Sequence, residues 1–190
     1  MQLNLYLTFD DGPSKTYTPE LLDLLKEFNI QASFFVVAEF AEQNPHIIFR
    51  MRDEGHYIGL HSLDHRSAYV LSPRHAKMDF EQSINILKGM GIDINGYRPP
   101  WGHQTPWSKV LVRHFGLKTV LWDVMAEDWR KNSTPNMIAE KLSNRVFDEA
   151  VICLHDGRGR DNAPKRMIEA LKLVLPKWIE NGYKFKKIDE

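Results

Sequence analysis

The sequence predicts an α/β fold, a short and incomplete barrel of strand–helix units. Three observations predict it. Short apolar runs alternate with longer segments of helical periodicity along the whole chain, the pattern of βαβ units on a parallel sheet. Seven such runs, roughly 25–27 residues apart, fill the 190 residues, whereas an eight-unit barrel needs about 250. The unusual polar residues fall just after the runs, which in a barrel is a single rim. No glycine-rich phosphate loop follows the first run, which disfavours an open nucleotide-binding sheet.

The strand-like runs are Leu3–Phe9, Ala32–Val37, Tyr57–Leu60, the region of Gly96–Arg98, Leu117–Trp122, Glu149–Leu154 and Tyr183–Ile188. Several are apolar nearly throughout, as expected of a parallel sheet covered on both faces. Thr18-Pro19, Ser72-Pro73, Thr105-Pro106 and Thr134-Pro135 each precede a helical pattern. A hydroxyl cap followed by proline is a strong helix start. After Pro19, Leu21, Leu22, Leu25 and Phe28 form one apolar face. Gly55, Gly91, Gly116 and Gly182 stand where helices should stop.

Size and the lack of linkers or repeats predict one domain over residues 1–190. The charges cancel, 25 basic against 25 acidic, which argues against a nucleic-acid partner and removes any polybasic case for a membrane surface. One cysteine, Cys153, excludes a disulfide framework. No apolar run is long enough to span a bilayer, and no export signal is visible. Localisation is open: cytoplasmic if Met1 is the native start, secreted or cell-surface if an export segment has been removed.

Asp10-Asp11 follow the first run, His61 and His65 the third, Arg98 ends the fourth, Asp128-Trp129 follow the fifth and His155-Asp156 the sixth. His61 and His65 are four apart, so one helical turn would put both imidazoles on one face. With a carboxylate from Asp10-Asp11 they make two histidines and an aspartate, the three-ligand set of a hydrolytic zinc site. The bland reading is two surface histidines, and His46, His56, His75, His103 and His114 are expected to be only that. Asp10-Asp11-Gly12-Pro13 is also good turn chemistry. Two neighbouring carboxylates repel, however, unless one holds an ion and the other faces a cation such as Arg98. His155, ending an apolar run, is a candidate general acid, and Asp128 could orient its ring. Cys153 reads as core packing rather than as a nucleophile. Trp101 and Trp129 flank the polar set and could wall a pocket or stack on sugars; Trp122 and Trp178 fit core positions.

Thr8-Phe9-Asp10-Asp11-Gly12-Pro13-Ser14, His61-Ser62-Leu63-Asp64-His65, Arg98-Pro99-Pro100-Trp101-Gly102, Asp128-Trp129 and Leu154-His155-Asp156, in that order, resemble the polysaccharide deacetylases, the NodB-like domain of carbohydrate esterase family 4. The resemblance implies a distorted TIM-like (β/α)7 barrel with its active site at the C-terminal strand ends. It implies a divalent metal ion, most often Zn2+, on Asp11, His61 and His65. It implies Asp10 as general base positioned by Arg98, and His155 as general acid tuned by Asp128. It further implies Trp101, Trp129, Cys153 and Leu154 around the substrate, with the Trp101 amide at the oxyanion. Trp101, Met125 and Cys153 depart from residues common in that family. The implied reaction removes N-acetyl groups from N-acetylglucosamine-containing glycans, chitin oligomers or peptidoglycan. Acetyl-xylan ester hydrolysis by the same groups and a noncatalytic glycan-binding module remain alternatives. A two-carboxylate glycosidase would not need the histidines. No protein partner is implied.

Overall fold

The structure, a computed structural model, describes residues 3–188. Met1, Gln2, Asp189 and Glu190, which the single-domain expectation includes, lie outside the described residues. In chain order the elements are β1 (Leu3–Asp10), α1 (Tyr17–Glu27), β2 (Ser33–Val36), α2 (Ala38–Gln43), α3 (Pro45–Asp53), β3 (Tyr57–Leu60), α4 (Pro73–Gly89), β4 (Gly96–Tyr97), a 3-10 turn (Pro100–Gly102), α5 (Pro106–His114), β5 (Lys118–Thr119), β6 (Val124–Met125), α6 (Pro135–Arg145), β7 (Ala150–His155), α7 (Ala163–Glu180) and β8 (Tyr183–Phe185).

The strands pair in parallel in the order β5-β4-β3-β2-β1-β7-β6, an arc of seven. Among the described residues no pairing joins β5 to β6, so the barrel stays open at that seam. The strand count agrees with the sequence, but one member differs. Tyr183–Ile188 does not take the seventh place: β8 stops at Phe185 and pairs only with the first residues of β1. Its place in the arc is taken by β6. The run Leu117–Trp122 yields only the two-residue β5. Two-residue strands are too short to carry a hydrophobic period, which is why the pattern did not separate them.

β1 lies at the middle of the arc between β2 and β7 and shows why the sheet has two different faces. Leu5, Leu7 and Phe9 are fully buried in the layer under the helices, with Leu21, Leu22 and Leu25 of α1 and Ile168, Leu171 and Leu175 of α7. Phe9 stacks on Phe34 of β2 at 5.2 Å. Burying such a side chain is worth about 1.5–3 kcal/mol. The alternate residues Thr8 and Asp10 face the barrel interior, because successive side chains of a strand point to opposite sides.

The helix starts follow the hydroxyl–proline pairs in three cases. Ser72, Thr105 and Thr134 accept the amides of His75, Ser108 and Met137 at the starts of α4, α5 and α6. Thr18 is the exception. It lies inside the first turn of α1, and its hydroxyl instead accepts the Ser14 amide at 2.7 Å and donates to Asp156. The stops occur as expected: Gly55, Gly91, Gly116 and Gly182 each stand one residue past a C-cap. Gly91, at φ 72°, adopts the left-handed conformation that ends α4.

The interior is not filled by layers of aliphatic residues. Its centre is the fully buried side chain of Arg98, which enters from the end of β4. The guanidinium lies over the ring of Phe35 at 4.1 Å. It donates to Thr8 Oγ1 at 2.5 Å, Asp10 Oδ1 at 2.8 Å, Val120 O at 3.2 Å and Leu121 O at 3.1 Å. The last two carbonyls belong to the segment between β5 and β6. Arg98 therefore supplies hydrogen bonds at the one place where the ladder does not close. Replacing it with Met should leave Asp10 buried without its cation and free two carbonyls. Breaking a buried ion pair costs about 3–5 kcal/mol, so a denaturant titration of Arg98→Met should show a loss of that order. A loss under about 1 kcal/mol would mean the pair holds nothing together.

Candidate active site

Asp10 ends β1 opposite Phe35 of β2 and His155 of β7. The next residue, Asp11, has φ 73°. This left-handed step sends its carboxylate away from that of Asp10 and towards a different partner. Oδ1 of Asp11 lies 3.2 Å from His61 Nε2 and 2.9 Å from His65 Nε2, and all three side chains are buried. The spacing of the histidines suggested a helical turn, but residues 61–65 form a loop after β3. Ser62 and His65 have φ 75° and 60°. The loop is pinned by the His65 amide on Ser62 Oγ at 2.9 Å and by the Leu63 amide on Asp79 Oδ2 at 3.2 Å. The two imidazoles still converge.

His61 Nδ1 is 2.7 Å from the carbonyl oxygen of Arg98. A carbonyl only accepts, so Nδ1 donates to it, and Nε2, the nitrogen facing Asp11, is the one that would ligate an ion. Asp11 Oδ1 has no hydrogen bond of good geometry although it is buried. Burial alone would raise this carboxyl. Hydrogen bonding and charge from His61 and His65, with His155 adding to them, hold it well below the usual carboxylate range. An anionic oxygen and two imidazole nitrogens in so small a space fit a divalent ion, and these three residues can hold one. His65 Nδ1 has no partner among the described residues. Its ring is held by the edge-on indole of Trp101 at 4.4 Å instead.

The second group stands beside the first. Arg98 holds Asp10 through Oδ1, which leaves Oδ2 facing the Sγ of Cys153 at 3.4 Å. Cys153 is buried on the interior face of β7, and burial together with the Asp10 charge pushes its thiol well up, so it is an inert neutral donor. Asp128, fully buried, meets His155 twice: its Oδ2 accepts the backbone amide at 2.9 Å and its Oδ1 lies 3.0 Å from Nδ1. Burial would lower this imidazole, but the charge and hydrogen bond of Asp128, then Asp11 and Asp10, outweigh it and raise it to about 9. Trp129 packs edge-on against the ring at 5.0 Å.

The structure thus brings Asp10, Asp11, His61, His65, Arg98, Asp128, Trp129, Cys153 and His155 to one end of the barrel. Trp101 is there too, 57% exposed and at φ 54°. Leu154 is not. Strand alternation turns it to the opposite face from Cys153 and His155, where it is fully buried in the layer that holds Phe9. Trp122 is only partly buried, near Gly102 and Arg98, rather than in the core. Of the histidines expected at the surface, His56 is buried: its Nδ1 accepts the Ala32 amide at 3.1 Å, and burial lowers it to about 4.

Several supporting residues were missed. Thr8 passes the Arg98 bond on to Ile152 O at 2.7 Å. Asp156 is fully buried under the Asp11-Gly12 turn, bonded to Thr18. Burial, then the charges of Asp11 and Asp10, outweigh that bond and raise it to about 7. A Cβ on Gly12 would collide with the Asp156 carboxyl, and one on Gly157 with the Asp11 carbonyl. The only sequence signal for Asp156 was its place next to His155.

The polysaccharide deacetylase family profile matches residues 3–120. The chain is 34% identical over 189 residues to the peptidoglycan-N-acetylglucosamine deacetylase PgdA of Listeria monocytogenes, with 97% of this chain covered and 38% of that one. It therefore spans well under half of that relative's length. It is 33% identical over 196 residues to the peptidoglycan-N-acetylmuramic acid deacetylase PdaA of Bacillus subtilis, covering 98% of this chain and 70% of that one. The solved structure of the peptidoglycan deacetylase PdaC from Bacillus subtilis matches with a TM-score of 0.88 at 28% identity, over 99% of this chain and 89% of that one. With the strand order, the aspartate–histidine group and the family profile in agreement, the chain belongs to the polysaccharide deacetylases.

Proposed function

We propose that the chain hydrolyses N-acetyl groups of N-acetylglucosamine-containing glycans, with peptidoglycan or chitin oligomers as the substrate class. The observation that carries this is the adjacency of two groups at one rim: Asp11–His61–His65, fit to hold a divalent ion, and Asp10–Arg98 with His155–Asp128, fit to move protons. The donor set of two imidazoles and one carboxylate suits Zn2+. When bound, the ion supplies Lewis-acid polarisation of the acetamide carbonyl and of the attacking water.

The chain's own residues do the rest. Asp10 Oδ2, the oxygen that Arg98 leaves free, takes a proton from the attacking water. Its direction is fixed by the Arg98 bond to Oδ1. The Trp101 amide offers a donor for the developing oxyanion. His155, fixed through Nδ1 by Asp128, gives a proton from Nε2 to the departing nitrogen. The products are acetate and the free amine. Trp129 and Cys153 border the space for the acetyl methyl. Acetate release with and without a chelator, on chitin oligomers, peptidoglycan and acetyl-xylan, tests the reading. Release from the amide substrates that stops on chelation is expected. Release from acetyl-xylan alone would make the chain an esterase, and binding without release a noncatalytic module.

The two neighbouring aspartates should fail differently. Asp11→Asn should lose metal and rate together. Asp10→Asn keeps the ligand group but loses the proton acceptor, worth about 10²–10⁴ in rate. It also strips Arg98 of its counter-charge, so stability should fall as well. Metal titration, kinetics and thermal unfolding of the two purified variants check this. Metal loss in Asp10→Asn with retention in Asp11→Asn would reverse the roles.

The pH dependence follows from His155. As a general acid it must be protonated, and its raised value of about 9 keeps it so until the pH climbs through that point. The rate should therefore fall on the alkaline side. Asp128→Asn removes the main raising influence while burial remains, so the alkaline limb of the kcat/KM profile should move to lower pH. An unmoved limb would show that His155 is not the group being read.

A further inference from the structure

Strand register brings a second set of metal-binding donors together beside the first. His155 of β7 pairs with Asp10 of β1, and Cys153 lies two residues earlier on β7. Residues two apart on a strand share a face, so the thiol and the imidazole both enter the barrel interior next to the Asp10 carboxylate. Cys153 Sγ lies 3.4 Å from Asp10 Oδ2. One donor atom from each of Asp10, Cys153 and His155 lies within 4.8 Å of the other two. The remaining side-chain atoms are already engaged: Arg98 holds Oδ1 of Asp10, and Asp128 holds Nδ1 of His155. That leaves Oδ2, Sγ and Nε2. A carboxylate on Nδ1 is also the usual partner behind a histidine that ligates a metal through Nε2.

We propose that Asp10, Cys153 and His155 form a second, weaker site for a thiophilic divalent ion, Zn2+ or Cd2+, and that an ion bound there blocks hydrolysis. One carboxylate, one thiolate and one imidazole suit such ions and not Mg2+ or Ca2+, which prefer oxygen donors. Cys153 decides this, because the sulfur is what separates the set from an ordinary acid–base pair. Binding releases two protons to solvent, one from the thiol and one from Nε2 of the protonated His155; a coordinating thiol gives up its proton outright. The Arg98 guanidinium, and an ion on Asp11, His61 and His65, both repel a further cation nearby. The second site therefore fills after the first, at excess metal. An ion there would occupy Oδ2 of Asp10 and Nε2 of His155, the two atoms that accept and donate protons in the proposed reaction. The blocking effect rests on the function proposed above; the binding does not.

The chain has one cysteine, so a thiolate–metal charge-transfer band can come only from Cys153. The test is a Cd2+ titration of the chelator-stripped protein, followed by ultraviolet absorbance and calorimetry, with circular dichroism to show that the fold is kept. The band should appear after the first ion has bound and saturate with the second. Cys153→Ser, which keeps the shape and a donor to Asp10, should show no band and lose the second binding step. His61→Ala should lose the first step and keep the band. Excess Zn2+ should suppress acetate release by the wild type. In Cys153→Ser, measured against its own rate without excess metal, the midpoint of that suppression should rise at least about tenfold. No band in the folded wild type, or a second step unchanged in Cys153→Ser, would overturn the site. Loss of the band in His61→Ala would also overturn it, since the thiol would then report on the first ion. A band with no suppression of acetate release would overturn the blocking role. Because binding is read without turnover, absence of acetate release under every condition would count against the proposed activity and leave the binding result standing.

Discussion

A single buried guanidinium holds the site and the barrel to each other. A charge at the centre of a protein is costly unless its donors are matched and a counter-charge is near. Arg98 meets both terms: a carboxylate, a hydroxyl and two carbonyls accept from it. Its backbone takes part as well, since its carbonyl fixes the tautomer of His61. One residue thus fixes the proposed proton acceptor through its side chain and a candidate metal ligand through its main chain. The same side chain bonds the segment where β5 and β6 fail to pair. The geometry of the chemistry and the closure of the sheet therefore cannot drift apart.

The two neighbouring aspartates show how repulsion is turned into division of labour. In an ordinary strand their carboxylates would already point to opposite faces. Here β1 ends at Asp10 and Asp11 steps into left-handed φ, so both stay at the rim but serve different partners. Such a conformation is strained for a residue with a Cβ, and its recurrence at Ser62, His65 and Trp101 marks where packing outweighs local preference. The carboxyl of Asp156 beneath, with Gly12 and Gly157 too close for any side chain, is part of that packing.

Much of this was legible in the sequence, because the candidate site residues sit at strand ends and strand ends can be read from apolar runs. Asp10, His61, Arg98 and His155 fall where the runs predict a rim. What was illegible depended on long-range closeness or on very short elements. β6 has two residues and no period to read. Residues 61–65 look like a helical turn by spacing, but Ser62 and Asp79 tie them into a loop. Thr18 looks like a cap because proline follows it, yet its hydroxyl is taken by Asp156, far away in the chain. Leu154 shared a motif with His155, but the alternation of β7 sends it to the other side.

The position of β1 has a consequence for the order of assembly. Its two central neighbours come from very different parts of the chain. β2 follows within one helix, whereas β7 is so late that Thr8 and Ile152, bonded across the pair, are 144 residues apart. Pairings of that span pay their loop-closure entropy before any contact rewards it, which slows folding. During synthesis from the N-terminus, Asp11, His61 and His65 are all made before β4, α5, α6 or β7 exists. The candidate ion-holding group belongs to the early chain and the proposed proton donor to the late one. The nascent protein therefore passes through a stage in which Asp11, His61 and His65 have emerged and His155 has not.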